Sequence, residues 1–356
     1  MAHILYFVSG HGFGHAVRSA QVVRALSGMG HFCEIVSSAP RFIFDVNLKG
    51  VPFGYRNVEC DIGVVQVDSL GNDLPSTLKR WREFLAASDQ WVRRGLQICR
   101  EVKPGVIVSD IAPLAFPLAR RAGIASVLVT TFTWDWILDF YKDGEMAFGE
   151  IADQLRGFYR QADCMVSTPF AYGLPSLRPA HTVSLIGKRA AMPKADIRKR
   201  LGLDSRPAFL VSFGGCGIND VGRMELGRLD GYQFLFHGEQ YPPGENIVAV
   251  SDEDATHEEL VAGSDAIISK PGYGICSACV LNRTPMFYTS RGRFAEYDLL
   301  SQEMQKYFPA VFVSQEELLG GGIGAYLGQI PPFTAKHQTD PGTGAGEVAA
   351  IIASML

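Results

Sequence analysis

Short apolar runs of strand length alternate with longer helical patterns along most of the chain. That order is expected of a parallel α/β sheet whose strands are covered on both faces. In the first half the strand-like runs are 3–9, 32–37, 106–109, 126–130 and 164–167, and helical patterns fall at 15–29, 74–102, 113–122 and 145–161. The first helical pattern ends at Gly28 and Gly30, a glycine stop. The stretch 182–207 holds Gly187, Pro193 and Pro207, is rich in Lys and Arg, and reads as a connection. The rhythm then restarts, with strands at 208–212, 233–236, 247–250, 266–269, 286–288 and 311–313. Helices fit at 219–229, 256–263, 274–282, 296–306 and 315–327; a Pro- and Gly-rich stretch at 328–343 precedes a last helix at 344–356. The pattern predicts two Rossmann-like, doubly wound parallel-sheet domains facing across a cleft. Their bounds are 1–186 and 208–340, with a linker at 187–207 and a C-terminal helix at 341–356 available to pack back on the first domain.

A length of 356 residues suits two cores rather than one. Hydrophobic residues at 47% and charged residues at 20% describe an ordinary globular chain. The net charge of −4 supplies no general attraction for nucleic acid, and the basic group Lys188, Arg189 and Lys194 reads as solvated linker surface. Seven Cys, an odd number spread through apolar segments, read as reduced core thiols. Cys276 and Cys279 have no second pair at zinc-site spacing, and no acidic cluster suggests a metal. No leader is visible and no apolar run reaches the roughly 18 residues of a membrane helix, so the expected location is cytoplasmic. There the sequon at Asn282 carries no weight.

Candidate chemistry gathers at three glycine-bearing loops. The first is Ser9-Gly10-His11-Gly12-Phe13-Gly14-His15, at the end of the first strand. Its spacing is G-x-G-x-G, and the second strand ends in Ser37-Ser38-Ala39 with no acid for a ribose, which argues against NAD or FAD. His15 opens a helical pattern and His11 stands beside it; an unperturbed imidazole titrates at about 6.5 and can take a proton near neutrality. A helix N-terminus disfavours the imidazolium, so a carboxylate is needed to help His15 act as a base. Asp110 follows the strand 106–109 at the same sheet edge; capping the next helix, with Pro113 in its first turn, is its other reading. Gly214, Gly215 and Gly217 form the second loop, and Ser269-Lys270-Pro271-Gly272-Tyr273-Gly274 leads through a third into a helix carrying Ser277. Helix N-terminal amides at such turns suit a diphosphate, and neither loop has P-loop spacing. Phe132, Trp134, Trp136 and Phe140 read either as a core stripe or as the lining of an acceptor cleft.

Together these residues resemble the GT-B glycosyltransferases. The first loop is similar to the Gly-x-Gly-Gly-His loop of the bacterial peptidoglycan N-acetylglucosaminyltransferases. The run 9–18, Phe132-Thr133-Trp134-Asp135 and Lys270-Pro-Gly-Tyr-Gly274 are closer still to the glycosyltransferase-like domain of plant L-arabinokinases. The resemblance spans nearly the whole chain and leaves no stretch for a sugar-kinase module. It implies transfer of a hexosyl or N-acetylhexosaminyl group from a nucleotide-diphosphate sugar, UDP foremost, with inversion and with neither metal nor further cofactor. The implied acceptor is a glycan, a lipid-linked molecule met at a membrane surface, or a small molecule. His15 is then the base and Asp110 its orienting acid, with Gly12, Gly14, His11, Thr133 and Trp134 on the acceptor side. Gly214, Gly215 and Gly217, then Ser269, Lys270, Gly272, Tyr273, Gly274 and Ser277, hold the donor diphosphate, and Glu296 meets the donor sugar hydroxyls. Two departures stand out: Ala278 replaces the ribose-binding Glu of the family motif, and Gly-Cys-Gly at 215–217 lacks a hydroxyl. Loss of that Glu favours a second reading, a non-catalytic nucleotide-sugar-binding or interaction module. A third, a sugar-nucleotide epimerase, rests on Glu296 and Asp298 as acid/base candidates.

Overall fold

Strand β1 (His3–Val8) has five consecutive buried residues, which a strand achieves only where helices cover both faces of its sheet. A computed structural model describes residues 1–67, 70–172, 181–214, 221–237 and 244–356. It divides the chain into two units, Met1–Gln66 with Asn72–Ile186 and Thr343–Leu356, and Val67–Gly71 with Gly187–Gly342.

In the first unit β1 is followed by α1 (Phe13–Gly28), β2 (Phe32–Ser37), α2 (Arg41–Asn47) and β3 (Phe53–Asn57). Next come α3 (Leu74–Ala86), α4 (Ser88–Val102), β4 (Val106–Asp110), α5 (Ala115–Ala122) and β5 (Ala125–Thr130). Then α6 (Trp134–Asp139), α7 (Ala147–Tyr159), β6 (Cys164–Ser167) and β7 (His181–Thr182) complete a seven-stranded parallel sheet of order β3-β2-β1-β4-β5-β6-β7. The strand order reverses between β1 and β4, the position at which doubly wound sheets open a ligand crevice beyond their carboxyl ends.

The second unit runs α8 (Lys194–Arg200), β8 (Ala208–Ser212), β9 (Gln233–His237), β10 (Ile247–Val250), α9 (His257–Gly263) and β11 (Ala266–Ser269). It continues with α10 (Tyr273–Asn282), β12 (Met286–Tyr288), α11 (Ala295–Glu303), β13 (Ala310–Phe312), α12 (Gln315–Leu319) and α13 (Gly324–Leu327). Its six parallel strands are ordered β10-β9-β8-β11-β12-β13, with the reversal between β8 and β11. The last helix, α14 (Gly344–Ala353), returns to the first unit, where Val348, Ala349 and Ile352 join the core built by β1, β2 and α1.

Several elements depart from the sequence pattern for local reasons. Strand β3 has no apolar run: it edges its sheet, half exposed, and its Arg56 pairs with Glu34 at 2.7 Å. The 74–102 pattern divides at Ala87, which ends α3 and precedes α4; α3 itself starts with Asp73 accepting from the Ser76 amide and Pro75 in the first turn. The helix read at 219–229 is a pair of 3-10 turns, Val221–Met224 and Leu226–Arg228, each holding a glycine that weakens a longer helix. Gly320, Gly321 and Gly322 similarly separate α12 from α13.

Candidate active site

The loop after β1 reaches the first unit's switch point, and the β1–β4 register sets Val8 opposite Asp110. Gly12 takes φ 70°, ψ 174°, a region open essentially to glycine, and this bend lets α1 begin at Phe13 with no side-chain cap. His15 therefore sits in the first turn of α1, where helix periodicity puts Arg18 and Ser19 on the same face.

These side chains converge on one carboxylate. His15 Nδ1 lies 2.9 Å from Asp110 Oδ1, and Arg18 donates to both oxygens, from Nη2 to Oδ1 at 2.5 Å and from Nε to Oδ2 at 3.0 Å. Ser19 Oγ donates to Oδ2 at 2.9 Å. Asp110 is fully buried, and burial alone would raise its carboxyl. The Arg18 charge, then His15 and their hydrogen bonds, more than offset that and hold it well below the usual carboxylate range. An ionised Asp110 only accepts, so His15 Nδ1 donates and Nε2 is left with a lone pair. The imidazole keeps 11% of its surface exposed, so it can meet a reactant. Asp110 does not cap α5, whose N-cap is Leu114.

A second carboxylate, Asp61, lies in the same site and was not singled out by any sequence motif. Trp134 Nε1 donates to its Oδ2 at 2.8 Å, and the Trp134 ring stands 5.1 Å from His11, 5.3 Å from Phe132 and 6.5 Å from His15. Gly63, at φ 69°, lies so near His11 that an added Cβ would be 2.5 Å from the ring. Burial pushes the Asp61 carboxyl up to about 6, against the pull of the Trp134 N–H and the His15 charge. The folded protein thus holds this proton more tightly than the unfolded chain. Stability on the order of 2–3 kcal/mol is lost as pH rises from about 4 through 6. Asp61→Asn keeps an acceptor for the indole and removes the charge. Its melting temperature is expected to exceed that of the wild type at pH 8, with the gap closing towards pH 4.5. A gap that stays constant across thermal scans from pH 4 to 8 would refute this account.

In the second unit Ser269 pairs with Ser212, which sets the turns after β8 and β11 side by side at that sheet's switch point. Helix α10 starts behind Gly272 without a side-chain cap, and an added Cβ on Gly272 or Gly274 would meet nothing within 4 Å. There is thus room beside these two glycines, at the end of the helix where backbone amides lack intrahelical partners.

Comparison with known proteins follows this geometry. Residues 2–134 match the model of glycosyl transferase family 1. The Arabidopsis thaliana L-arabinokinase is 30% identical over 366 residues, covering 98% of this chain and 34% of its own length. The chain thus spans about a third of that relative. Phytolacca americana UGT2, solved with UDP-2-fluoro-glucose and pterostilbene, aligns over 100% of this chain and 94% of its own at a TM-score of 0.62 and 12% identity. Acinetobacter baumannii MurG aligns over 99% and 100%, with a TM-score of 0.59 and 14% identity. This chain has the GT-B glycosyltransferase fold.

Within the GT-B frame the anticipated site residues separate into groups. His11, Gly12, Gly14, His15 and Asp110 gather at the first switch point. Thr133 and Trp134, anticipated on the acceptor side, are both 0% exposed; they cannot touch an acceptor from there, and Trp134 instead backs His11 and His15. Gly214, Lys270, Gly272, Tyr273 and Gly274 lie at or next to the second switch point, whereas Gly215 and Gly217 fall outside the described residues. Ser269 and Ser277 were anticipated as hydroxyl donors to a ligand. Both are buried and donate to backbone carbonyls instead, Ser269 to Ser212 and Ser277 to Tyr273 at 2.9 Å. The turn therefore offers amides rather than hydroxyls. Glu296, anticipated at the donor sugar, is 3% exposed and ion-paired with Arg291 at 3.5 Å, whose guanidinium stacks 3.8 Å from the Phe294 ring. Ala278 is buried in α10.

The same carboxyl edge carries two histidines that no motif marked. His257 opens α9 with Nε2 3.5 Å from Ser212 Oγ, and His237 ends β9, 3.0 Å from Asp252. Burial, then the neighbouring His237, hold His257 below the usual imidazole range. A cavity of about 540 Å³ in this unit lies at the opposite, amino edge, lined by Arg189, Lys194, Asp265 and Arg283 among others. Helices α9 and α10 end there, and cations complement helix C-termini. Lys194 donates to the Ser264 carbonyl and to Asp265, each at 2.8 Å, so this basic rim closes structure rather than holding an anion. Among the described residues no three His, Cys, Asp or Glu side chains gather in a metal-binding arrangement, and no helix is long and apolar enough to cross a membrane.

Proposed function

We propose that the protein moves a sugar from a nucleotide-diphosphate donor to an acceptor hydroxyl, with His15 as general base. The observation that carries this reading is the His15–Asp110 pair, which leaves a partly exposed Nε2 lone pair at the switch point of a GT-B unit. Nε2 takes the hydroxyl proton as the acceptor oxygen bonds to the anomeric carbon. The bond from that carbon to the diphosphate oxygen breaks, and a nucleoside diphosphate leaves. One such displacement inverts the anomeric centre. In this reading the second unit holds the donor: the amides at the start of α10 meet the diphosphate and offset the charge that builds on it. UDP is the nucleotide we favour, since the Phytolacca americana relative of this fold was solved with a UDP-sugar.

A thermal-shift series with nucleoside diphosphates tests the donor half. UDP at about 100 times its dissociation constant is expected to add about 2.7 kcal/mol of stability, and other bases less. No shift with any nucleoside diphosphate would overturn the reading. Ala278, which removes a ribose partner, favours the binding-module alternative; nucleotide binding without transfer or donor hydrolysis over a range of acceptors would establish it. Burial of Glu296 against Arg291 weighs against an epimerase, for which it is one of two acid/base candidates.

A further inference from the structure

Arg18 is 4% exposed, and its guanidinium is held at every nitrogen. Nε and Nη2 fork onto the two oxygens of Asp110, Nη1 donates to Thr131 Oγ1 at 3.2 Å beyond β5, and Nη2 also stands 3.2 Å from His15 Nδ1. The imidazole, the carboxylate and the guanidinium therefore form one triangle rather than a two-member pair.

We propose that Arg18 is a positioning residue for the His15 base: it fixes and neutralises the Asp110 carboxylate, so that Asp110 orients the ring without holding a proton on Nε2. This rests on the reading of His15 as base. The physical argument is one of charge. A lone carboxylate 2.9 Å from an imidazole favours the imidazolium, in which Nε2 already carries a proton and cannot accept another. A guanidinium 3.2 Å from the same ring opposes that form, as does the N-terminus of α1. Asp110 Oδ1, an acceptor, fixes the Nδ1–H tautomer, and Arg18 Nη2, which only donates, cannot draw that hydrogen away from it. Other titratable groups around the triangle are His11 on the glycine loop, Asp61 after β3, Tyr6 on β1 and Tyr159 on α7. Among them Asp61 senses the His15 charge, while Tyr6 and Tyr159 sense Asp110.

Arg18→Gln, Arg18→Lys, Asp110→Asn and the Arg18→Gln/Asp110→Asn double variant test this, by NMR titration of the His15 ring and by pH profiles of transfer. With Arg18→Gln the His15 midpoint is expected to rise by about one unit. Transfer at pH 7 should fall severalfold, by no more than the roughly tenfold change that a one-unit shift allows, and recover as the pH is raised, whereas a merely structural loss would persist at every pH. The double variant removes both charges and should return the midpoint to near the wild-type position. Arg18→Lys keeps the charge but not the fork, so it should hold the midpoint and lower kcat across the whole profile. An unmoved midpoint in folded Arg18→Gln overturns the proposal. If that variant does not fold, equal midpoints in Asp110→Asn and the double variant overturn it. A shifted midpoint with no transfer by the wild type at any pH would count against the transferase reading alone.

Discussion

His15→Ala is expected to abolish most sugar transfer, lowering kcat by about 10² to 10⁴ fold while leaving nucleotide binding intact. The size follows from the role. Without Nε2 the two neighbouring carboxylates cannot readily take the hydroxyl proton: Asp110 is enclosed by Arg18, Ser19 and His15, and Asp61 is buried behind Trp134. The selectivity follows from the division of labour, since the proposed donor amides belong to the second unit. Initial rates with a labelled nucleotide sugar, set beside thermal shifts with the nucleotide alone, read both halves. Retention of more than about a tenth of the wild-type rate would remove His15 from the mechanism.

Asp110→Ala should be the most damaging single change for stability. Removing one partner of a buried pair leaves the other charge unpaired, at a cost of about 3–5 kcal/mol. Arg18 would be that charge, 4% exposed, with Thr131 and the His15 ring as its neutral partners among the contacts described above. The melting temperature is expected to fall by about 10 °C in a unit of this size. The wild-type contribution has a definite pH signature. The folded carboxyl is held below its unfolded value, so its contribution is complete above about pH 4 and fades as pH falls through the lowered folded value. The gap between wild type and Asp110→Ala should therefore be constant from pH 5 to 8 and narrow in acid. A gap below about 1 kcal/mol at pH 7, measured by chemical denaturation, would mean that Arg18 finds another anion.

Much of this arrangement is legible in the sequence, and the parts that are not share a cause. The apolar run 3–9 followed by glycines marks a buried strand entering a close-approach loop, and an acid directly after the apolar run 106–109 marks the same edge of the sheet. Both signals are local. Arg18 is illegible by itself because an Arg in a helix ordinarily faces water; only its position three residues after His15 on the helical repeat hints at a shared target. Asp61 stands in a segment with no periodicity, and its partner Trp134 is 73 residues away. Strand β3 pairs along an edge through its backbone and needs no apolar run. The aromatic run at 132–140 has one sequence appearance for two outcomes: Phe132 and Trp134 are buried as packing, while Trp136 is half-buried and Phe140 exposed.

Helix α14 has a practical bearing on how the protein can be taken apart. Because Thr343–Leu356 folds with the first unit, that unit is assembled from separated stretches of chain, and the bulk of the second is threaded into it as an insertion. A gene cut after Ile186 would yield a fragment whose α1 lacks the cover of Val348, Ala349 and Ile352, leaving a greasy stripe on the helix that follows the glycine loop. Dissection is better done by excising residues 187–342 and splicing the flanks with a short flexible bridge.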